Sequence, residues 1–104
     1  MKAKSERYHS LAEIMEILRK LKDEIKMEFK AEIIGIFGSY ARGEQKAESD
    51  LDLIVKFHED ATLFDLVGLG DFLEHKLGIR VDIVSEEAIR EELKNTILKE
   101  TINV

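Results

Sequence analysis

Leu11, Ile14, Leu18, Leu21 and Ile25 recur at steps of three and four residues, so one apolar stripe runs down a helix over residues 10–29. Ser10-Leu11-Ala12-Glu13 has the form of a capping box at its start. The pattern then changes period. Ile33-Ile34-Gly35-Ile36-Phe37 is a short apolar run, rich in β-branched residues and ending at Gly38-Ser39, which predicts a strand. Leu51 to Phe57 and Ile79 to Val84 predict two more. Between these two, Thr62 to Lys76 predicts a helix with Thr62 as N-cap and Leu63, Leu66, Phe72, Leu73 and Leu77 toward the core. Gly78 stands where a helix-ending glycine belongs. Ser85 is expected to cap a last helix through Ile89, Leu93, Ile97 and Leu98. The order α-β-β-α-β-α implies an α/β (α+β) fold, a small mixed sheet of about three strands flanked by helices.

Composition narrows the class. A chain of 104 residues has room for one compact domain, expected to span 1–104. Charged residues reach 37% and are spread along the chain, as on a solvated surface rather than in a disordered tail. Without cysteine there is neither a disulfide framework nor a thiolate metal site. No apolar stretch approaches the ~18 residues that span a membrane. The segment Met1 to Arg7 is too polar for a secretory signal, so a soluble cytoplasmic protein is expected. The net charge of −6 argues against gripping a phosphate backbone. No direct DNA or RNA binding is therefore expected, and a basic protein partner is favoured.

Two segments carry candidate chemistry. Ser49-Asp50-Leu51-Asp52 opens the second strand, where alternate residues share a face. Asp50 and Asp52 then project together while Leu51, Leu53 and Val55 take the other side. Their oxygens suit Mg²⁺ or Mn²⁺. Asp82, on the face opposite Ile79, Val81 and Ile83, completes a three-carboxylate cluster if its strand pairs beside the second. Gly38-Ser39 follows the first strand directly; glycine admits a close backbone approach, and amides at a helix start attract phosphate oxygens. Carboxylates alone repel a triphosphate, so metal ions must bridge the two.

Gly38-Ser39, ten intervening residues and Asp50-Leu51-Asp52 resemble the signature of the DNA-polymerase-β-like nucleotidyltransferase superfamily. The fuller Gly38-Ser39-Tyr40-Ala41-Arg42-Gly43 with Ser49-Asp50-Leu51-Asp52 is similar to its minimal nucleotidyltransferase (MNT) branch. The resemblance implies a nucleotidyltransferase-like fold and transfer of a nucleoside monophosphate, AMP from ATP, to a hydroxyl with release of pyrophosphate. By the same resemblance Asp50 and Asp52 match metal ligands, and two Mg²⁺ ions are expected. Asp82 matches a third carboxylate that helps hold the catalytic metal and assists deprotonation of the acceptor. Gly38 and Ser39 match the triphosphate-binding turn. Arg42 is a recurrent motif residue, either a phosphate ligand or an ion-pair partner of the cluster. The resemblance further implies an antitoxin of a HEPN-domain toxin, with a toxin tyrosine as acceptor.

Plainer readings stand beside these. Adjacent aspartates often cap a turn or face water. Ser49 serves as a turn residue, Tyr40 packs rather than stacks on a base, and His9, His58 and His75 show no ligand spacing. The rival function is a non-catalytic binding module that neutralises a partner by occlusion. Transfer to a small molecule such as an aminoglycoside is disfavoured, because the chain has no further domain to hold that acceptor.

Overall fold

The computed structural model describes residues 10–104. Helix α1 (Leu11–Phe29) begins with the expected capping box: Glu13 N donates to Ser10 Oγ at 3.1 Å and Ser10 N donates to Glu13 Oε1 at 2.9 Å. Ile14, Leu18 and Ile25 are fully buried, with Leu11 and Leu21 packed at the margin. The helix stops at Lys30, whose φ of 54° and ψ of 47° are left-handed, its N–H reaching Lys26 O at 3.1 Å. A side chain is strained there, so Lys30→Gly is expected to raise stability by about 0.5–1 kcal/mol, read as a higher urea midpoint. The ion pair lost with it, Lys30 to Asp60 at 3.7 Å, is exposed and contributes little.

Strand β1 (Ala31–Phe37) leads through a one-turn helix α2 (Ser39–Arg42) to β2 (Leu51–Phe57). Helix α3 (Leu63–Leu77), strand β3 (Val81–Ser85), a 3₁₀ turn (Glu86–Ala88), helix α4 (Glu91–Glu100) and strand β4 (Ile102–Asn103) follow. The sheet order is β3-β2-β1-β4. β1 runs antiparallel to β2 and β4, while β2 and β3 are parallel, so the sheet is mixed as expected. Leu51, Leu53 and Val55 join Ala31, Ile33 and Ile36 in a core shared with α1 and with Leu69, Leu73 and Leu77 of α3. Among the described residues, no helix is long and apolar enough to cross a membrane.

Three expectations need correction. The sheet has four strands rather than about three; a two-residue strand such as β4 leaves no alternation to read. The last helix starts at Glu91, because Ile89 and Arg90 are extended and Ser85 supplies no side-chain cap. That helix buries none of its residues. Leu63 is 77% exposed: it is the first residue of α3, whereas the core stripe Leu69, Leu73 and Leu77 occupies the later turns. The Thr62 cap is as expected, with Asp65 completing a second capping box.

A bulge sets the register that matters. Ile33 pairs with Val55 but Gly35 pairs with Ile54, leaving Ile34 as the extra residue. Past it, the inward phase of β1 passes to Ile36, and Phe37 falls opposite Asp52. Gly35 lies against β4 so closely that a Cβ would strike the Ile102 carbonyl oxygen and Thr101 Cγ2. Gly35→Ala is therefore expected to push β4 off the sheet and cost about 1–3 kcal/mol. Faster amide exchange confined to residues 101–104 checks it.

Candidate active site

The site assembles where β1 ends beside the first residues of β2 and β3. Leu51 N donates to Arg80 O at 2.8 Å, which starts the parallel β2–β3 ladder and fixes Asp52 opposite Asp82. Registered neighbours on parallel strands share a face, and the strand axes lie about 4.8 Å apart. Alternation turns Leu51, Leu53 and Val55 into the core and leaves Asp50, Asp52 and Asp82 on the opposite side of the sheet.

Gly38 closes the site from β1. Its φ of 76° and ψ of −149° belong to a region that only glycine occupies comfortably. A Cβ built there would overlap the Asp52 carboxylate, with Oδ2 as the nearest atom. The glycine is thus required twice, by its backbone angles and by its contact with Asp52. Ser39 opens α2, and Gly38 O accepts from Arg42 N at 3.1 Å. Gly43, with φ of 73°, ends the turn.

Electrostatics bind these residues into one group. Burial pushes the Asp52 carboxyl above its ordinary range, and the charges of Asp82 and then Asp50 push it further. Arg42 opposes the shift. Its guanidinium donates from Nε to Glu44 Oε1 at 3.0 Å, so Arg42 is held by Glu44 and acts on Asp52 at longer range. Asp50 Oδ1 pairs with Arg80 Nε at 3.2 Å; both side chains are exposed. Among the described residues, no three carboxylate or imidazole side chains are drawn together tightly enough to hold an ion in this arrangement. Asp50 is turned to Arg80.

The remaining candidates take plain roles. Tyr40 is 4% exposed and packs in the core, where burial, then the Asp50 charge, raises its hydroxyl pKa. Ser49 Oγ accepts from Lys46 N at 2.8 Å and so closes a turn. His58 pairs with Glu32 at 3.1 Å, His75 lies exposed on α3, and His9 falls outside the described residues. Sequence reasoning missed Arg80 as a neighbour of Asp50. A groove of about 420 Å³ opens beside this pair, lined by Ala47, Glu48, Ser49, Glu74, Ile79 and Arg80.

The donor set fits a hard divalent cation. Of the three carboxylates on one face, Asp52 is half-buried and repelled by the other two; Arg80 offsets Asp50, and Arg42 offsets Asp52 only in part.

Residues 14–104 match the family model of the nucleotidyltransferase domain. The protein adenylyltransferase MntA of Thermococcus cleftensis is 40% identical over 95 residues, which cover 91% of this chain and 96% of that protein. A solved structure described as a "putative minimal nucleotidyltransferase" is similar with a TM-score of 0.74 and 39% identity, covering 93% of this chain and 98% of the other. A toxin–antitoxin crystal structure with AMP-PNP is similar with a TM-score of 0.60 and 29% identity, over 77% of this chain and 62% of that one. With nearly all of its described residues matched by the family model, the chain belongs to the nucleotidyltransferase family, in its minimal branch, and is a nucleotidyltransferase.

Proposed function

We propose that this chain is a metal-dependent protein adenylyltransferase that moves AMP from ATP to a tyrosine hydroxyl of a HEPN-type toxin, and so acts as its antitoxin. The observation that carries the chemistry is the register of Asp52 with Asp82, next to Asp50 and against Gly38. The relative named MntA and the toxin–antitoxin neighbour with AMP-PNP support the choice of donor and of partner class. Use of ATP fits a cytoplasmic reaction.

Asp50, Asp52 and Asp82 would hold Mg²⁺, which when bound neutralises phosphate charge and lowers the pKa of an oxygen it meets. The chain's own residues do the rest. Gly38 lets the backbone approach the β- and γ-phosphates, and Ser39 offers a hydroxyl donor to them. Asp82, on the strand that flanks Asp52 on the side away from Gly38, would take the proton of an acceptor that attacks in line with the leaving group. The acceptor oxygen forms a bond to the α-phosphorus and the α–β phosphoanhydride bond breaks. Pyrophosphate leaves, and the hydroxyl proton passes to Asp82. To admit the ion, Asp50 must exchange its partner Arg80.

The test uses ATP labelled at the α-phosphate, with Mg²⁺ and a lysate of the native cell. A labelled protein band with wild type, missing with Asp50→Asn/Asp52→Asn, is the expected result. No label, but co-purification of one partner with both versions, would contradict transfer and support occlusion.

A further inference from the structure

Leu63, Phe64 and Val67 are 77%, 88% and 58% exposed, three large apolar side chains side by side on the first turns of α3. They fall within about 100° of the helix surface, centred about 130° round from the stripe that fills the core, Leu69, Leu73 and Leu77. Most of their surface therefore lies outside the core. Single exposed apolar residues are ordinary, but a contiguous group on one helix face marks a contact surface.

We propose that this end of α3 is a docking surface for a basic, amphipathic helix of a partner protein. Charge selects the occupant. Past Val67 the same face carries Asp71, which is exposed, and Glu59 and Asp60 are exposed in the loop ahead of the helix. Lys30 partners Asp60 at 3.7 Å, and α3 itself holds no lysine or arginine before Lys76. A second copy of this chain would bring one acidic rim against another, with a net charge of −6 on each side. A helix with an apolar stripe and flanking lysines or arginines matches both the apolar centre and the rim.

The position suits a tether. Leu63 stands at one end of α3, and Glu74, which lines the groove beside Arg80 and Asp50, stands near the other. Leu63 and Glu74 are separated by about 16 Å of helix, so a partner held at Leu63 leaves the carboxylates open. The proposal rests on the adenylyl-transfer reading only in making this partner the acceptor.

The test measures fluorescence anisotropy of a labelled Leu/Lys amphipathic helix of about 18 residues, a length that can fold on binding. A Leu/Glu peptide of the same pattern serves as control. Wild-type protein is expected to bind the Leu/Lys helix at least about tenfold more tightly than Leu63→Ser/Phe64→Ser/Val67→Ser, since the variant loses three buried apolar contacts. The control peptide should not bind. Unchanged circular dichroism of the variant, and a weaker effect from Phe64→Ser alone, guard against misfolding. Equal binding by wild type and variant would overturn the proposal. So would a wild-type dimer that the variant loses, which assigns the surface to a second copy. Failed labelling in the ATP experiment, with peptide binding intact, tells against transfer and leaves the surface standing.

Discussion

Asp52→Asn is expected to abolish nucleotidyl transfer and, at the same time, to make the metal-free protein more stable. Loss of outer-shell partners alone costs metal sites about 10–100-fold, so removing a direct carboxylate ligand should cost at least about a hundredfold in kcat/KM. The stability effect has the opposite sign. Asp52 titrates above its ordinary range because burial and the charges of Asp82 and Asp50 disfavour the carboxylate in the fold. A carboxyl whose folded pKa is raised destabilises the protein above that pKa, and the cost is relieved as pH falls through it. Asparagine removes the charge at neutral pH, so Tm in EDTA should rise by a few degrees. Mg²⁺ should then raise Tm in wild type and leave the variant unmoved. A variant that loses activity and also loses stability would indicate a structural role instead.

Gly38→Ala is expected to damage fold and activity together. Any L-residue at φ 76° and ψ −149° pays about 1–3 kcal/mol in backbone strain, and the new methyl also meets the Asp52 carboxylate. The second cost is separable. In an Asp52→Ala background the methyl has room, so Gly38→Ala should cost less there than in wild type, and urea midpoints of the four proteins give the coupling. Equal cost in both backgrounds would mean that Gly38 and Asp52 do not touch.

These two residues also mark how far the site is legible in the sequence. The spacing from Gly38-Ser39 to Asp50 and Asp52, and the alternation that turns both aspartates away from Leu51, Leu53 and Val55, are local features that a sequence displays. Asp82 was legible only conditionally, because strand pairing is a long-range fact; the observed Asp52–Asp82 register supplies the condition. The bulge at Ile34, which brings Phe37 and then Gly38 beside Asp52, had one local cue, Gly35 inside the apolar run, and a strand glycine marks either a bulge or a close backbone approach without saying which. The Arg80–Asp50 pair left no such cue, because it depends on where β3 starts.

The errors in fold have the same origin. Leu63 has the helical spacing of a core residue, within about 40° of the direction of Leu77, but it stands in the first turn of α3, ahead of the turns whose Leu69, Leu73 and Leu77 meet the core. Ser85 looked like a helix cap because the extended residues Ile89 and Arg90 contain neither glycine nor proline to announce a break. β4 gains its place from the space above Gly35, a contact between residues nearly seventy positions apart in sequence.

Binding of Mn²⁺ with a non-hydrolysable ATP analogue, followed by electron paramagnetic resonance, tests the metal site most directly and needs no knowledge of the acceptor. Wild type is expected to take up Mn²⁺ in a nucleotide-dependent manner, and Asp52→Asn to leave it in solution. Equal uptake by the two proteins would contradict the assignment of Asp50, Asp52 and Asp82 as the metal-holding group.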